Sequence, residues 1–196
     1  MSDLDFTNDE LLALGELERK TDHLRTAVAS LVHDYDTGLF VWGEGGIGKS
    51  YVVEETLKQL KASYVHHNSR MTGRGLFDAL RADPTKIHLI EDAETLFTDK
   101  LALGVLRSAC WSQSKKRPRE REITWASFSA CGSDNRFVFT GSILVISNAD
   151  VTSTSAELRA VKSRVNTLNM DVTSAEMFAL MKKICQDGYT FGEERS

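Results

Sequence analysis

The octapeptide Gly43-Glu-Gly-Gly-Ile-Gly-Lys-Ser50 constrains this chain more than any other stretch. It fits the pattern GxxxxGK[ST], in which glycines let the backbone curl where side chains would clash. Before it lies the apolar run Leu39 to Trp42, which predicts a strand. After it Val52, Val53, Leu57 and Leu60 recur at helical spacing, which predicts a helix. A glycine loop between strand and helix turns successive N–H groups inward at the positive end of the helix dipole, forming an anion nest. The triphosphate of a nucleotide is the ligand for which this pattern is diagnostic. The candidate nucleotide-binding residues are therefore Gly43, Glu44, Gly45, Gly46, Ile47, Gly48, Lys49, Ser50 and Tyr51. Lys49 is placed to reach the β and γ phosphates, and the Ser50 hydroxyl to ligate Mg²⁺. The bland alternative is a glycine-rich turn that happens to end in Lys-Ser.

The rest of the chain alternates. Thr7 and Glu10 form a capping box with Phe6 and Leu11 as a staple, predicting a helix from about Asn8 to Lys20, and a second helix is predicted through Leu24, Ala27, Val28, Leu31 and Val32. After the glycine loop and its helix, strands are expected at Ser63 to His67, Lys86 to Ile90, Ser142 to Ser147 and Val165 to Met170. Helices are expected at Gly75 to Arg81, Lys100 to Ser112, Leu158 to Lys162, and from a second capping box, Thr173 and Glu176, to Gly188. Strands separated by helices imply right-handed crossovers and a three-layer α/β sandwich around a central parallel sheet, and Ser142 to Ser147 is apolar enough to be buried on both faces. Between the Lys100 helix and that strand, Ile123 to Phe128 and Arg136 to Thr140 flank the turn-like Cys131-Gly-Ser-Asp-Asn135, which predicts a projecting β-hairpin. The organisation expected is an N-terminal helical segment at 1–37, a core at 38–188 with an insertion at about 113–141, and a tail at 189–196.

Several other residues invite a chemical reading. Ile87-His-Leu-Ile-Glu-Asp92 is a strand ending in two carboxylates, Glu91 and Asp92: one acid to hold Mg²⁺ and one to polarise a water, or else simply a solvated strand end. Asn148 ends the buried strand at the carboxyl edge of the sheet, where ligands bind in open α/β folds, though Asn is also an ordinary turn residue. Arg164 precedes the last strand, with Arg159 nearby as an alternative cation. Lys115, Lys116, Arg117, Arg119 and Arg121 form a basic run before a hairpin carrying Trp125, Phe128, Phe137 and Phe139. Cations can contact phosphates and aromatics can stack on unpaired bases; the bland alternative is a solvated loop whose aromatics belong to the core.

Composition narrows the class. A 41% hydrophobic chain of 196 residues can bury one sizeable core. No stretch approaches the roughly 20 apolar residues of a membrane helix, and no Lys or Arg occurs before Arg19, so a cytoplasmic protein is expected. Cys110, Cys131 and Cys185 have neither disulfide-framework nor zinc spacing. The net charge of -4 argues against a surface coated in basic residues, while leaving room for a local basic patch.

Taken in order, GEGGIGKS, LIED, ILVISN and SRV before a final strand resemble the core of an AAA+ ATPase across about Leu39 to Lys183. The resemblance implies Lys49 and Ser50 as Walker A, Glu91 and Asp92 as Walker B, Asn148 as the first sensor, and Arg164 as a finger inserted into a neighbouring subunit's site. It also implies ATP and Mg²⁺ as ligands and a homo-oligomer, a ring or a filament, with a hexamer expected. The hairpin before the sensor strand resembles the branch that includes superfamily 3 helicases. Two departures stand out: Walker B has Glu before Asp, the reverse of the usual order, and too little chain follows the Thr173 helix for the family's helical lid. The expectation is an oligomeric ATPase acting on single- or double-stranded DNA, in replication or in a mobile element. Two alternatives stand beside it: a nucleotide-dependent assembly switch or adaptor with weak hydrolysis, and a protein-remodelling ATPase.

Overall fold

The fold is described from a computed structural model covering residues 5–68, 70–91, 94–111, 119–125, 135–148 and 156–187. It is an α/β fold in which a five-stranded parallel sheet is flanked by helices on both faces. The elements run α1 (Asn8–Val32), β1 (Gly38–Trp42), α2 (Lys49–Gln59), β2 (Tyr64–His67), α3 (Gly73–Ala82), β3 (Ile87–Ile90), α4 (Glu94–Thr98), α5 (Lys100–Cys110), β4 (Arg121–Thr124), β5 (Arg136–Phe139), β6 (Ser142–Ser147), α6 (Ala156–Lys162), β7 (Asn166–Asn169) and α7 (Ser174–Asp187). The sheet order is β2-β3-β6-β1-β7, every pair parallel.

Alternation along the strands divides the apolar side chains between two cores. Leu39, Val41, Leu144, Ile146, Ile87 and Leu89 face α1 and α2, while Phe40, Ile143, Val145 and Ile90 face α3, α5 and α6. The central strands are therefore apolar on both faces, and β6 is buried at every position.

One helix, not two, precedes β1. The polar stretch at Lys20, Thr21 and Asp22 looks like a break in sequence. However, Leu17 and Leu24 stand two turns apart, so the buried stripe Leu17, Leu24, Val28, Leu31 continues through it. Thr21 Oγ1 donates to the Leu17 carbonyl and Arg25 pairs with Asp22 one turn on, so the polar residues are satisfied within the helix. The short α4 was not expected from the sequence.

Both predicted capping boxes form, and each reaches across to the other helix. Glu10 caps α1 and accepts from Lys182 of α7 at 2.7 Å; Glu176 caps α7 and accepts from Lys20 of α1 at 2.8 Å. Antiparallel α1 and α7 are thereby pinned at two points.

The hairpin is present as the antiparallel pair β4 and β5, with Arg121 opposite Phe139 and Thr124 opposite Arg136. Its described part does not project. Ile123 and Phe139 are fully buried in the core on the α5 side, and Trp125 and Phe137 pack on Phe77 of α3 with ring centroids 5.8 and 5.2 Å away.

Candidate nucleotide site

Parallel strands bring three chain segments to one edge of the sheet. β1 ends at the glycine loop, β3 ends at Glu91, and β6 lies between them and ends at Asn148. Trp42 pairs with Ser147, so Gly43 and Asn148 leave the sheet side by side.

The loop has the backbone its glycines allow. Gly43, Gly46 and Gly48 have φ of 153°, 83° and 82°. A Cβ on Gly43 would also stand 2.8 Å from the carbonyl carbon and oxygen of Met170, so only glycine fits where the loop crosses the end of β7. Gly48 is the N-cap of α2 and offers no side-chain acceptor, which leaves the first N–H groups of that helix without a cap from its own sequence.

Lys49 is 4% exposed, and its ammonium donates to the carbonyls of Gly43 at 2.8 Å and Glu44 at 2.7 Å, and to Asn148 Oδ1 at 3.2 Å. Lys49 is thus folded into the loop as its missing cation. Burial lowers its pKa, opposed by the negative charges of Asp171 and Glu91. Ser50 is half-buried at the start of α2. Tyr51 is 65% exposed and turns to the outer face of α2, where it lines a cleft of 420 Å³ with Glu54, Glu55 and Lys58.

Glu91 is mostly enclosed, with its side chain 15% exposed. Oε2 lies 3.5 Å from His66 Nε2, and Oε1 is buried with no hydrogen-bond partner among the described residues. His66 in turn approaches Glu54 Oε1 at 3.6 Å. His66 at the end of β2 and Asp171 after β7 went unrecognised in the sequence. Neither belongs to a motif, although a histidine pair closing a strand beside an acid-ended strand was a visible signal. Asp92 lies outside the described residues.

A groove of 370 Å³ adjoins the loop, lined by Glu44, Val172, Thr173, Met177, Phe178 and Met181. Phe178 and Met181 are exposed on α7.

Arg164 lies at the opposite edge of the sheet. It precedes Asn166, which pairs with Leu39 at the start of β1 and so lies four residues of strand, or about 13 Å, from the level of Gly43; Arg164 lies beyond that. The two described members of the basic run serve the fold. Arg121 is 2% exposed, donates to the carbonyls of Phe139 and Gly141, and stacks its guanidinium on Phe139. Arg119 donates to the carbonyls of Asp36 and Thr140 and to Ser142 Oγ, and pairs with Asp34 at 2.8 Å. Both are turned onto the backbone turns that feed β1 and β6, so these two side chains are engaged within the fold. Lys115, Lys116 and Arg117 lie outside the described residues, as do Phe128 and Cys131.

Among the described residues no three acid, His or Cys side chains converge to hold a metal on their own, and no helix is long and apolar enough to cross a membrane. Comparison with models of known protein families finds no match, and neither does comparison with curated protein sequences.

Proposed function

We propose that the chain is a P-loop ATPase of AAA+ type that binds ATP with Mg²⁺ on the Gly43 to Ser50 loop and hydrolyses it in an oligomer. The observation that carries this reading is the Lys49 ammonium, buried among loop carbonyls and tied to Asn148 at the uncapped start of α2. A cation that the free protein satisfies with carbonyl oxygens is one that phosphate oxygens can take over through stronger, charge-assisted bonds.

The donor set suits Mg²⁺. Ser50, Glu91 and Asp92 would hold it, and Glu91 Oε1 is a buried oxygen to which no described residue donates. When bound, Mg²⁺ supplies neutralisation of the developing phosphate charge. This chain's own residues do the rest. Lys49 and the backbone of Gly43 to Gly48 bind the phosphates, Asn148 orients the water and the γ-phosphate, and Glu91 or Asp92 accepts the water's proton while the other faces the metal. The groove beside Glu44 and α7 is large enough for the nucleoside. Arg164, too far along the sheet to act on its own site, is the arginine supplied to a neighbour. A residue of this type is worth about 10³ to 10⁵ in rate.

For the target, nucleic acid remains the first reading, carried by Lys115, Lys116 and Arg117. The inward packing of Arg119, Arg121, Trp125 and Phe137 favours a second one, in which the ATP cycle drives assembly or remodels a protein. Turnover measured with and without single-stranded DNA separates them: stimulation supports the first and indifference the second. Mixing Lys49→Ala with Arg164→Ala protein tests the shared site. Partial recovery of turnover is expected, and no recovery at any ratio in mixtures shown to assemble would remove the trans assignment.

A further inference from the structure

Arg164 is held by its own subunit in an incomplete seat. Nη1 donates to the Ala160 carbonyl near the end of α6 and approaches Ser163 Oγ at 3.3 Å, while the guanidinium carbon lies 4.9 Å from the centre of the Trp111 ring. Trp111 is 47% exposed and is the residue on which the chain leaves α5. Among the described residues, Arg164 Nε is buried and has no acceptor. A guanidinium carries five donors in a rigid fork, and a buried donor without a partner disfavours the arrangement that contains it. A phosphate group offers several acceptor oxygens to that fork at once.

We propose that the Arg164–Trp111 contact is a stored position of the arginine, released when the nucleotide phosphates of a second copy of this chain reach the α6–β7 corner. Each loaded site is then switched on only by assembly with a neighbour that supplies its arginine. The proposal rests on the trans role of Arg164 and adds to it a defined resting state and a reporter. Two features support it. The seat is at the surface, so the side chain can leave without opening the core. It is also built from one exposed ring and one helix end, contacts of the strength that a phosphate outcompetes.

The test follows Trp111 emission, obtained as the difference between wild type and Trp111→Phe, during titration with Mg²⁺ and a non-hydrolysable ATP analogue. The emission is expected to shift along the assembly curve, to stay constant at concentrations where subunits are separate, and to stop responding in Arg164→Ala. Trp111→Leu, which keeps bulk and loses the ring, is expected to turn over about two- to fivefold faster at saturating ATP with KM unchanged. The emission arm stands even if Trp111→Leu does not fold. Identical Trp111 emission in free subunits and in the analogue-bound assembly, in a protein whose turnover is lost in Arg164→Ala, overturns the stored position. Wild-type turnover in Arg164→Ala is a different failure, because it removes the trans role itself.

Discussion

Lys49 and Arg121 are both buried cations, and their partners give them opposite meanings. Arg121 is fixed by two carbonyls of the same hairpin and by the Phe139 ring, contacts that exist only to hold β4, β5 and the turn into β6 together. Lys49 is fixed by the carbonyls of a glycine loop whose N-cap Gly48 offers no side-chain acceptor, and it feels the charge of Glu91, whose Oε1 has no partner among the described residues. Arg121→Ala is accordingly expected to destabilise the protein by about 2 to 4 kcal/mol, from a cavity and two carbonyls left without donors. Thermal or urea unfolding measures it. A melting point equal to wild type, together with weaker DNA binding, would restore Arg121 to the surface role that its place in the basic run suggests. Sequence could not separate Arg121 from the other cations of its run. Five positive charges in seven residues look alike on paper, and the burial of Arg121 follows from the buried-exposed alternation of β4, in which Arg121 and Ile123 share the inward face.

At the scale of elements, the capping boxes, the buried β6 and the order of strands and helices were legible, because each depends on a local rule. The continuity of α1 was not. Whether a polar turn interrupts a helix depends on what covers its neighbours, and Leu17 and Leu24 are covered by partners distant in the chain. The histidines between β2 and β3 are a further case. His88 is fully buried, its Nε2 2.9 Å from the Asp83 carbonyl and its Nδ1 2.9 Å from His67 Nε2. A carbonyl only accepts, so Nε2–H donates to it, and Nδ1 accepts from His67; the pair is satisfied when neutral. Burial holds the His88 pKa down at about 4, with the proximity of His67 acting in the same direction. A folded pKa below the ordinary value means the unfolded chain binds the proton first. The contribution to stability is therefore whole above about pH 6.5 and declines as pH falls towards 4, by about 3 kcal/mol in total. Urea unfolding between pH 7 and 4 should show this slope in wild type and a shallower one in His88→Leu. Equal slopes would contradict the neutral buried pair.

For the whole molecule, the sheet order determines what can act together. With β6 between β1 and β3, Asn148 stands between the glycine loop and Glu91. With β7 parallel to β1, Arg164 is carried to the other edge, which is the basis for proposing that it serves a neighbouring copy. Bonds from Lys20 to Asp171 and Glu176 and from Lys182 to Glu10 tie α1 to α7, so the long N-terminal helix packs as part of the same body as the sheet and not as a separate appendage. All of this presupposes a triphosphate on Lys49, and calorimetric titration of Mg²⁺ and a non-hydrolysable ATP analogue into wild type and Lys49→Ala tests that claim directly. Saturable, Mg²⁺-dependent binding to wild type is predicted. It should weaken by at least about tenfold in a folded Lys49→Ala protein, since each charge-assisted bond lost is worth about 1.5 to 3 kcal/mol. Equal affinity in the two proteins, or no binding by folded wild type, would contradict the account.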